Sequence, residues 1–185
     1  MIIHKPFYYI RHGQTDWNVE GRFQGSMDIP LNETGLAQAH SAKTLLANLP
    51  ITHIYSSPLK RARVTADIAN EALGLGITDI RDLMEVNFGV MEGKLRPPGG
   101  FSGDWQTGTT PDKAETYINF TSRVFTAINS ILEQDGTPLI VAHGGVFMPV
   151  DEHMQLGVGA HLPNARPVHL SPPANGHDRW TLAEI

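Results

Sequence analysis

Three short apolar runs, each followed by polar residues, proline or glycine, predict β-strands. They are KPFYYI at 5–10, ITHIYSS at 51–57 and PLIVAH at 138–143. The last run has β-branched and apolar residues without alternation, which is typical of a strand that is covered on both faces. A further strand is possible within HDRWTLAEI at 177–185, after a segment at 157–176 that is rich in proline and glycine.

Three other segments place apolar residues at steps of three and four, the period of an amphipathic helix. The first helix is predicted at 33–49 and the third at 112–133. The second is predicted to begin at Ser57 as N-cap, with Pro58 in the first helical position, and to end at Gly74. The predicted buried stripes are, in chain order, Leu36, Ala39, Ala42, Leu46 and Leu49; Ala62, Ala66, Ala69 and Leu73; and Tyr117, Phe120, Val124, Ile128 and Ile131.

Strands that alternate with helices predict the fold class α/β, a three-layer sandwich with a mostly parallel central sheet flanked by helices. A chain of 185 residues can bury its own core, so we expect one domain that spans 1–185. The segment 94–111 contains three prolines and four glycines and has no period, so it is predicted to be a flexible loop or lid. Phe101 and Trp105 within it could provide a small apolar cover.

Composition excludes several classes of function. The chain has 14 basic and 19 acidic side chains, a formal charge of −5, and no cysteine. The absence of cysteine excludes enzymes that attack through sulfur and sites in which cysteine binds zinc or an iron–sulfur cluster. The acidic balance argues against nucleic acid as a partner, although a few arginines can still hold a small anion.

The apolar stretches are shorter than the roughly 20 residues of a membrane span, and the N-terminal segment does not resemble a signal peptide. We therefore expect a cytoplasmic protein with no membrane partner. The sequence leaves the oligomeric state open.

Two of the predicted strands deliver a histidine to their carboxyl ends, where the ligand crevice of an open parallel sheet lies. These are His12 and His143, each followed by a glycine. Arg11 precedes His12, and Arg61 lies in the first turn of the predicted second helix, so both guanidinium groups could hold a tetrahedral oxyanion such as phosphate. A histidine held between arginines is expected to be neutral and nucleophilic. The alternative interpretation is that His12 and His143 are only polar residues at strand ends, each followed by a turn.

Longer stretches around these residues resemble, in order, the histidine phosphatase superfamily, the phosphoglycerate mutase-like group. The stretches are RHGQTDWN at 11–18, RFQGSMDIPLNETGLAQA at 22–39, SSPLKRARVTA at 56–66, LMEVNFGVMEG at 83–93, ETYINFTSRV at 115–124 and IVAHGGV at 140–146. RHG alone is a weak signal, but together the stretches cover most of the chain and fit the predicted strands and helices. The resemblance implies a phosphoglycerate mutase-like fold of the small phosphatase branch.

The resemblance implies a role for each matching residue. His12 would be the nucleophile that becomes phosphorylated, and Glu85 would be the proton donor. The phosphate would be bound by Arg11, Asn18, Arg61, His143 as an imidazolium, and the backbone of Gly144. Without the resemblance, Glu85 would be interpreted as a surface carboxylate at a strand end.

Other matching positions are interpreted as peripheral. Gln24 and Gly25 would line the pocket rim, and the residues interpreted as structural or as part of the rim are Glu92, Glu115 and Arg123. The chain departs from many relatives at 146–149, where VFMP replaces a segment that carries an arginine.

No metal or other cofactor is expected. The one cluster that suggests a metal, DEH at 151–153, is interpreted as a solvated helix start. Three functions remain open. The leading one is a metal-independent phosphomonoesterase that acts on a small phosphorylated metabolite through a phosphohistidine. The alternatives are a phosphoglycerate mutase-type phosphoryl transfer and a non-catalytic phosphate-binding module.

Overall fold

The computed structural model describes residues 1–97, 105–158, 162–174 and 179–185. Within them, six strands form one sheet: β1 (Phe7–Arg11), β2 (His53–Ser56), β3 (Ile77–Asp79), β4 (Pro138–Ala142), β5 (Pro167–Ser171) and β6 (Thr181–Glu184). Their order in the sheet is β3-β2-β4-β1-β5-β6. The pairs β1/β4, β2/β4 and β2/β3 are parallel, whereas β5 is antiparallel to both β1 and β6. The predicted mostly parallel sheet is confirmed.

Five helices lie among the described residues: α1 (Asp16–Val19), α2 (Glu33–Leu46), α3 (Lys60–Asn70), α4 (Tyr117–Leu132) and α5 (Gly144–Met154). Two 3₁₀ turns, Arg81–Leu83 and Gly89–Met91, follow β3. None of these helices is long and apolar enough to cross a membrane.

The central strands β1 and β4 are buried on both faces of the sheet, and alternate residues of β1 enter two different apolar clusters. Phe7 and Tyr9 pack in the cluster that includes Phe120 of α4, and Tyr8 and Ile10 pack in the cluster formed with α2 and α3. Each fully buried large apolar side chain contributes roughly 1.5–3 kcal/mol relative to an exposed one. The predicted three-layer α/β arrangement is therefore confirmed.

The buried stripe of α2 differs from the prediction in two positions. Leu49 lies beyond the end of the helix at Leu46 and is only partly buried. Leu36 is 38% exposed, and the buried residue of that turn is Gly35. A Cβ atom at position 35 would lie 2.1 Å from the carbonyl oxygen of Gln14. Since the helix backbone approaches the segment after β1 this closely, only glycine fits on the inner side, and Leu36 turns outward.

The predicted starts of two helices are wrong. α3 begins at Lys60 rather than near Ser57, and the Lys60 N–H donates to Oδ1 of Asp28 at 2.7 Å, so a distant residue caps this helix. α4 begins at Tyr117 rather than near 112. Its N-cap is Thr116, whose side chain accepts the N–H of Asn119. Capping decided both starts, and in α3 the capping group comes from a loop that sequence proximity does not reveal.

Part of the predicted lid at 94–111, including Phe101, lies outside the described residues. Trp105 is described, and it is 3% exposed. Its ring packs against Tyr117 and Phe120, and its Nε1–H donates to the carbonyl of Glu115 at 2.9 Å. Trp105 is thus a core residue that packs against α4. It is not available to cover the pocket in the way that the sequence analysis considered.

Candidate active site

The two histidines of the sequence analysis lie side by side because they leave neighbouring parallel strands at the same level. Arg11 at the end of β1 is paired with Ala142 at the end of β4, and the His12 N–H donates to the Ala142 carbonyl at 3.0 Å. The ring centroids of His12 and His143 are 5.2 Å apart, and both side chains are buried. The carboxyl edge of the sheet therefore carries the candidate site, as expected for this topology.

One ring nitrogen of His12 is engaged and the other is left for chemistry. Nδ1 lies 2.7 Å from the carbonyl oxygen of Gly13, which can only accept, so Nδ1 carries the hydrogen and Nε2 has a free lone pair. The Gly13 N–H donates to Oγ1 of Thr65, and Nδ2 of Asn164 donates to the His12 carbonyl at 2.8 Å. A Cβ atom at position 13 would lie 2.4 Å from the Gly35 carbonyl.

Burial lowers the pKa of His12 well below its usual value of 6.5, and the positive charges of Arg61 and Arg11 lower it further. The sequence analysis expected a neutral His12 from the arginines alone. The structure makes desolvation the larger cause, and both causes favour the neutral ring. His12 is therefore a neutral imidazole rather than a cation at neutral pH, with a lone pair available on Nε2.

His143 is held through its other nitrogen. Nε2 lies 2.8 Å from Oγ of Ser57, whereas Nδ1 is buried and has no hydrogen-bond partner among the described residues. The Tyr9 hydroxyl donates to the His143 carbonyl at 2.7 Å. Burial, followed by the charge of Arg61, lowers the pKa of His143 well below 6.5. The expected imidazolium is wrong in this environment, because a buried ring beside fixed cations favours its neutral form.

Arg61 is a buried cation on the first turn of α3. Its side chain is fully buried, Nη1 donates to the Met27 carbonyl at 2.7 Å and Nη2 to the Gly25 carbonyl at 2.8 Å. Nε is buried without a partner among the described residues. Burial lowers the pKa of Arg61 to about 10, so it remains charged at neutral pH.

Arg11 is the second cation of the pocket. Its Nη1 donates to the Leu162 carbonyl at 2.8 Å, and its Nε is buried without a partner among the described residues. Neither Arg11 nor Arg61 is within ion-pair distance of a carboxylate in the described part of the chain. Arg61 is fully buried and Arg11 is partly buried, and each has an Nε donor without a partner among the described residues, so together they could hold an anion.

The loop at the rim is organised around Glu92. Its carboxylate accepts the Ser26 N–H at 2.8 Å and the Ser26 hydroxyl at 2.9 Å. Gly25 has a φ of +53°, and a Cβ atom there would lie 2.1 Å from Oε1 of Glu92, so this position requires glycine. Gln24 is buried, and its Oε1 has no partner among the described residues. The loop thus places the Gly25 carbonyl on Arg61 and leaves the Gln24 amide unengaged.

Asn18 belongs to a capping box at the start of α1. Its N–H donates to Oγ1 of Thr15, and its Oδ1 accepts from the backbone and hydroxyl of Thr15, both at 3.1 Å. Its Nδ2 donates no hydrogen bond to the described residues. The capping box therefore fixes the amide with its NH₂ group available for a ligand oxygen.

Glu85 joins the site through the N-terminus of α5. Its Oε2 accepts the Gly145 N–H at 3.1 Å, and its Oε1 accepts the Val86 N–H at 3.0 Å. Burial lowers the pKa of Arg11 and of Arg61, and the negative charge of Glu85 partly offsets this lowering at both guanidinium groups. Gly144 is the first residue of α5, where backbone N–H groups have no partner within the helix.

Arg123 and Glu115 support the backbone at Glu85. Nε of Arg123 lies 2.7 Å from Oε1 of Glu115, in a pair that is largely shielded from solvent. The same guanidinium donates to the carbonyls of Asp82, Met84 and Glu85. These two residues hold the segment that carries Glu85 and make no contact with the histidines.

The segment 146–149, where the chain departs from many relatives, contributes core residues. Val146, Phe147 and Pro149 are buried, and the Phe147 ring packs 4.9 Å from that of Tyr9. This first half of α5 therefore anchors the helix that carries Gly145.

Asp151, Glu152 and His153 do not converge on one point. Asp151 is buried and its Oδ1 accepts the Val158 N–H, Glu152 accepts from Gln106 and Tyr117, and Nε2 of His153 accepts the Ile2 N–H. They lie in the last turns of α5, so the expected solvated helix start is wrong. No group of three potential metal ligands occurs among the described residues.

Sequence reasoning missed four supporting side chains: Ser57, Thr65, Asn164 and Asp28. Each acts on a residue far away in the chain, for example Asn164 on His12, 152 residues apart. A buried Ser or Thr next to a predicted strand end or on a predicted buried helix face is a signal that could have pointed to Ser57 and Thr65. No local signal identifies the other two.

Comparisons with known proteins identify the family of the chain. The profile of the histidine phosphatase superfamily (branch 1) matches residues 7–172. The probable phosphoglycerate mutase GpmB of Yersinia pestis (strain Pestoides F) is 36% identical over 149 residues, covering 74% of this chain and 68% of the relative. The protein of the same name from Escherichia fergusonii is 37% identical over 147 residues, with the same coverage.

Two solved structures share the fold over nearly their whole length. Phosphoglycerate mutase from Thermus thermophilus has 28% identity and a TM-score of 0.75, with 98% of each chain covered. A structure named Mycobacterial hydrolase 1 has 28% identity and a TM-score of 0.78, with 97% of each chain covered. The phosphoglycerate mutase-like fold is thereby confirmed, and the chain belongs to branch 1 of the histidine phosphatase superfamily.

Proposed function

We propose that the protein is a metal-independent phosphomonoesterase that hydrolyses a small phosphorylated metabolite through a phosphohistidine intermediate. The environment of His12 carries the proposal: its Nδ1–H is engaged by Gly13, which leaves Nε2 unprotonated in a pocket with two guanidinium groups whose Nε atoms have no partner among the described residues. Members of the superfamily are phosphoryl-transfer enzymes, and the names of the relatives support that chemistry here. Hydrolysis is the more specific part of the proposal.

In the first step, Nε2 of His12 attacks phosphorus, a P–N bond forms, and the P–O bond to the alcohol breaks. The donors that face the phosphoryl oxygens are Arg11, Arg61, Asn18, His143 and the Gly144 N–H. Their fixed positions stabilise the charge on the equatorial oxygens, which is the main contribution to phosphoryl transfer. Glu85 gives a proton to the departing alkoxide, so a neutral alcohol leaves.

In the second step, water attacks the phosphohistidine. Glu85, now a carboxylate, takes a proton from the water, the P–N bond breaks, and inorganic phosphate leaves. His12 returns to its neutral form with the lone pair on Nε2. One carboxyl group therefore serves both steps, and protons and charge balance over the cycle.

The second candidate is a mutase, which the printed names of the GpmB relatives and of the Thermus structure favour. The name of the mycobacterial structure favours a hydrolase. A mutase must exclude water from the phosphohistidine while its intermediate reorients. Trp105, which the sequence analysis named with Phe101 as a residue that could provide a small apolar cover, packs in the core instead. This observation favours hydrolysis.

The decisive experiment is a product analysis with 3-phosphoglycerate and with a panel of phosphorylated metabolites that includes p-nitrophenyl phosphate. We expect inorganic phosphate from at least one ester, and phosphate rather than 2-phosphoglycerate from 3-phosphoglycerate if it binds. Efficient isomerisation with little phosphate released would instead assign a mutase. Binding of phosphate esters without any turnover would assign the third function, a non-catalytic phosphate-binding module.

The metal-free part of the proposal has its own test. Arg11 and Arg61 can supply the positive charge that Mg²⁺ or Zn²⁺ provides in other phosphoryl-transfer sites. Activity should therefore persist after dialysis against EDTA. If activity is lost and a divalent ion restores it, the enzyme requires a metal and the metal-independent part of the proposal is wrong. The acidic net charge likewise supports a small substrate rather than nucleic acid.

A further inference from the structure

A buried hydroxyl group lies against the second histidine of the site. Ser57 follows β2 and is fully buried, and its Oγ lies 2.8 Å from Nε2 of His143. Its Oγ also accepts the Leu59 N–H, at 3.4 Å. Helix capping does not account for this position, because α3 begins at Lys60 and the N–H of Lys60 is capped by Asp28.

The hydrogen atom between Ser57 and His143 can be assigned from the donors and acceptors around it. The Leu59 N–H is a donor, so it uses a lone pair of Oγ and cannot receive the hydroxyl hydrogen. The acceptor within reach of the hydroxyl among the described residues is Nε2 of His143. If Nε2 carried a hydrogen instead, the buried Ser57 hydroxyl would have no acceptor, which native structures avoid. The Ser57 hydroxyl therefore donates to Nε2.

This assignment decides what the other nitrogen of His143 can do. A neutral imidazole that accepts at Nε2 carries its hydrogen at Nδ1. Nδ1 is buried and has no partner among the described residues, on a ring 5.2 Å from that of His12. The charges that act on His143 from other elements are those of Arg61, His12, Arg11 and Arg123, and the carboxylate of Glu85 accepts the N–H of Gly145, two residues along the chain.

We infer that Ser57 is a positioning residue that holds His143 in the neutral tautomer with hydrogen on Nδ1, so that this N–H donates to the transferring phosphoryl group. The inference rests on the proposed function and deepens it. His12 and His143 then carry the same tautomer for opposite purposes: His12 offers the lone pair of Nε2, and His143 offers the hydrogen of Nδ1. Because the donor is neutral, it stays a donor without titrating near neutral pH.

The first test needs no substrate. Side-chain ¹⁵N NMR of the whole protein at pH 7.5 distinguishes protonated from unprotonated ring nitrogens, and the His143→Gln variant assigns the signals of His143. We expect a protonated Nδ1 and an unprotonated Nε2. A hydrogen on Nε2, or on both nitrogens, would overturn the inference whatever the behaviour of the variants.

The second test compares Ser57→Ala with Ser56→Ala. Ser56 is equally buried, but its hydroxyl donates to the Ser57 carbonyl and does not contact His143, so it is a matched control. Ser57→Ala should leave His143 as a mixture of tautomers and raise the Kd for inorganic phosphate by the reciprocal of the Nδ1–H fraction that remains, about two- to tenfold for a fraction between about one half and one tenth. Ser56→Ala should keep the wild-type tautomer and affinity.

Ser57→Thr provides the rescue, because it retains the hydroxyl and should restore the single tautomer. If Ser57→Ala keeps one Nδ1–H tautomer and binds phosphate like the wild type, Ser57 does not position His143. Both tests use the resting protein and inorganic phosphate, so they are independent of the phosphatase assay. Absence of ester hydrolysis would refute the proposed function, whereas a wrong tautomer of His143 would refute this inference.

Discussion

Nδ1 of His12 lies 2.7 Å from the carbonyl oxygen of Gly13, and this contact determines which nitrogen can react. The Gly13 peptide is itself held, because its N–H donates to Thr65 and its Cα lies against the backbone of Gly35. The nucleophile is thus oriented by backbone packing between β1, α2 and α3. Because the imidazole is already oriented, little conformational entropy has to be lost when a substrate binds. This preorganisation favours in-line attack on phosphorus.

Replacement of His12 should abolish turnover and covalent labelling together. In His12→Ala no other residue of the proposed scheme can carry the phosphoryl group. Rapid quench of the wild type with a ³²P-labelled substrate should trap phosphate that is labile to acid and stable to alkali, and the variant should trap none. An acid-stable phosphoester in the wild type would identify a hydroxyl nucleophile instead.

The two buried histidines should make stability depend on pH between about 6.5 and the lower pKa values of the folded protein. Burial lowers the pKa of His12 and of His143 below 6.5. Above pH 6.5 both rings are neutral in the folded and the unfolded state. As the pH falls below 6.5, the unfolded state takes up protons that the folded state does not, so the free energy of unfolding decreases.

The size of this effect can be measured by difference. Each such histidine contributes a slope of about 1.4 kcal/mol per pH unit once the pH is well inside the window. His12→Asn should therefore show a shallower loss of stability than the wild type as the pH falls below 6.5, in urea unfolding at each pH. The comparison cancels the carboxylates, which titrate alike in both proteins. Parallel curves would show that His12 is not held neutral.

Arg61 and Arg63 lie on the same turn of α3 and should respond very differently to substitution. Arg61 is fully buried and holds two carbonyls of the rim loop, whereas Arg63 pairs with Asp67 and Asp79 at the surface. Arg61→Ala should lower kcat/KM by about 10²–10³, the usual effect of removing a preorganised donor. Arg63→Ala should change kcat/KM little and stability by at most about 1 kcal/mol. Equal effects of the two variants would contradict the assignment of Arg61 to the pocket.

The framework of the site could be predicted from the sequence because local patterns determine it. Apolar runs identify β1 and β4, and parallel pairing then brings the residues after them, His12 and His143, to one edge of the sheet. The prediction was incomplete for β5, which pairs antiparallel with β1 inside a segment rich in proline and glycine. The sequence of β5 has neither a clear alternation of apolar and polar residues nor an apolar run long enough to predict a strand. It forms a strand because it pairs with β1.

The electrostatic state of the site could not be predicted, because it depends on contacts between distant residues. Ser57 and His143 are 86 residues apart, and their hydrogen bond removes Ser57 from the helix cap expected of it. His143 is neutral because its ring is completely buried beside Arg61. The burial of a single side chain cannot be read from the sequence. The imidazolium expected in the mechanism is therefore replaced by a neutral ring, because burial and the charge of Arg61 lower the pKa of His143.

Glu85→Gln should affect substrates according to their leaving group. An alkyl phosphate needs a proton on the departing oxygen, whereas p-nitrophenolate leaves without one. We expect kcat to fall about 10²–10⁴-fold on alkyl esters, the range for a lost general acid, and much less on p-nitrophenyl phosphate. Single-turnover measurements of the first step with both substrates would show this. The same loss on both would deny Glu85 the role of proton donor.

Gly145→Ala tests whether the position of Glu85 depends on the N-terminus of α5. A Cβ atom at position 145 would lie 2.2 Å from Oε1 of Glu85, while Gly145 has no positive φ that alanine would strain. The added methyl group must therefore displace the carboxyl group. The helix itself should tolerate alanine, which is favoured over glycine by up to about 1 kcal/mol in a helix interior. We expect lower activity on alkyl esters in a protein that is no less stable to urea.

A double-mutant cycle separates displacement of Glu85 from general damage to the site. In the Glu85→Ala background the carboxyl group is gone, and the methyl group at position 145 has nothing to displace. Gly145→Ala should then cost little further activity, so the two substitutions should be strongly non-additive, as expected for residues in direct contact. The readout is kcat/KM on one alkyl phosphate for the four proteins of the cycle. Additive losses would mean that Gly145 acts on the pocket by another route, for example through its backbone N–H, and that the contact with Glu85 does not set the position of the proton donor.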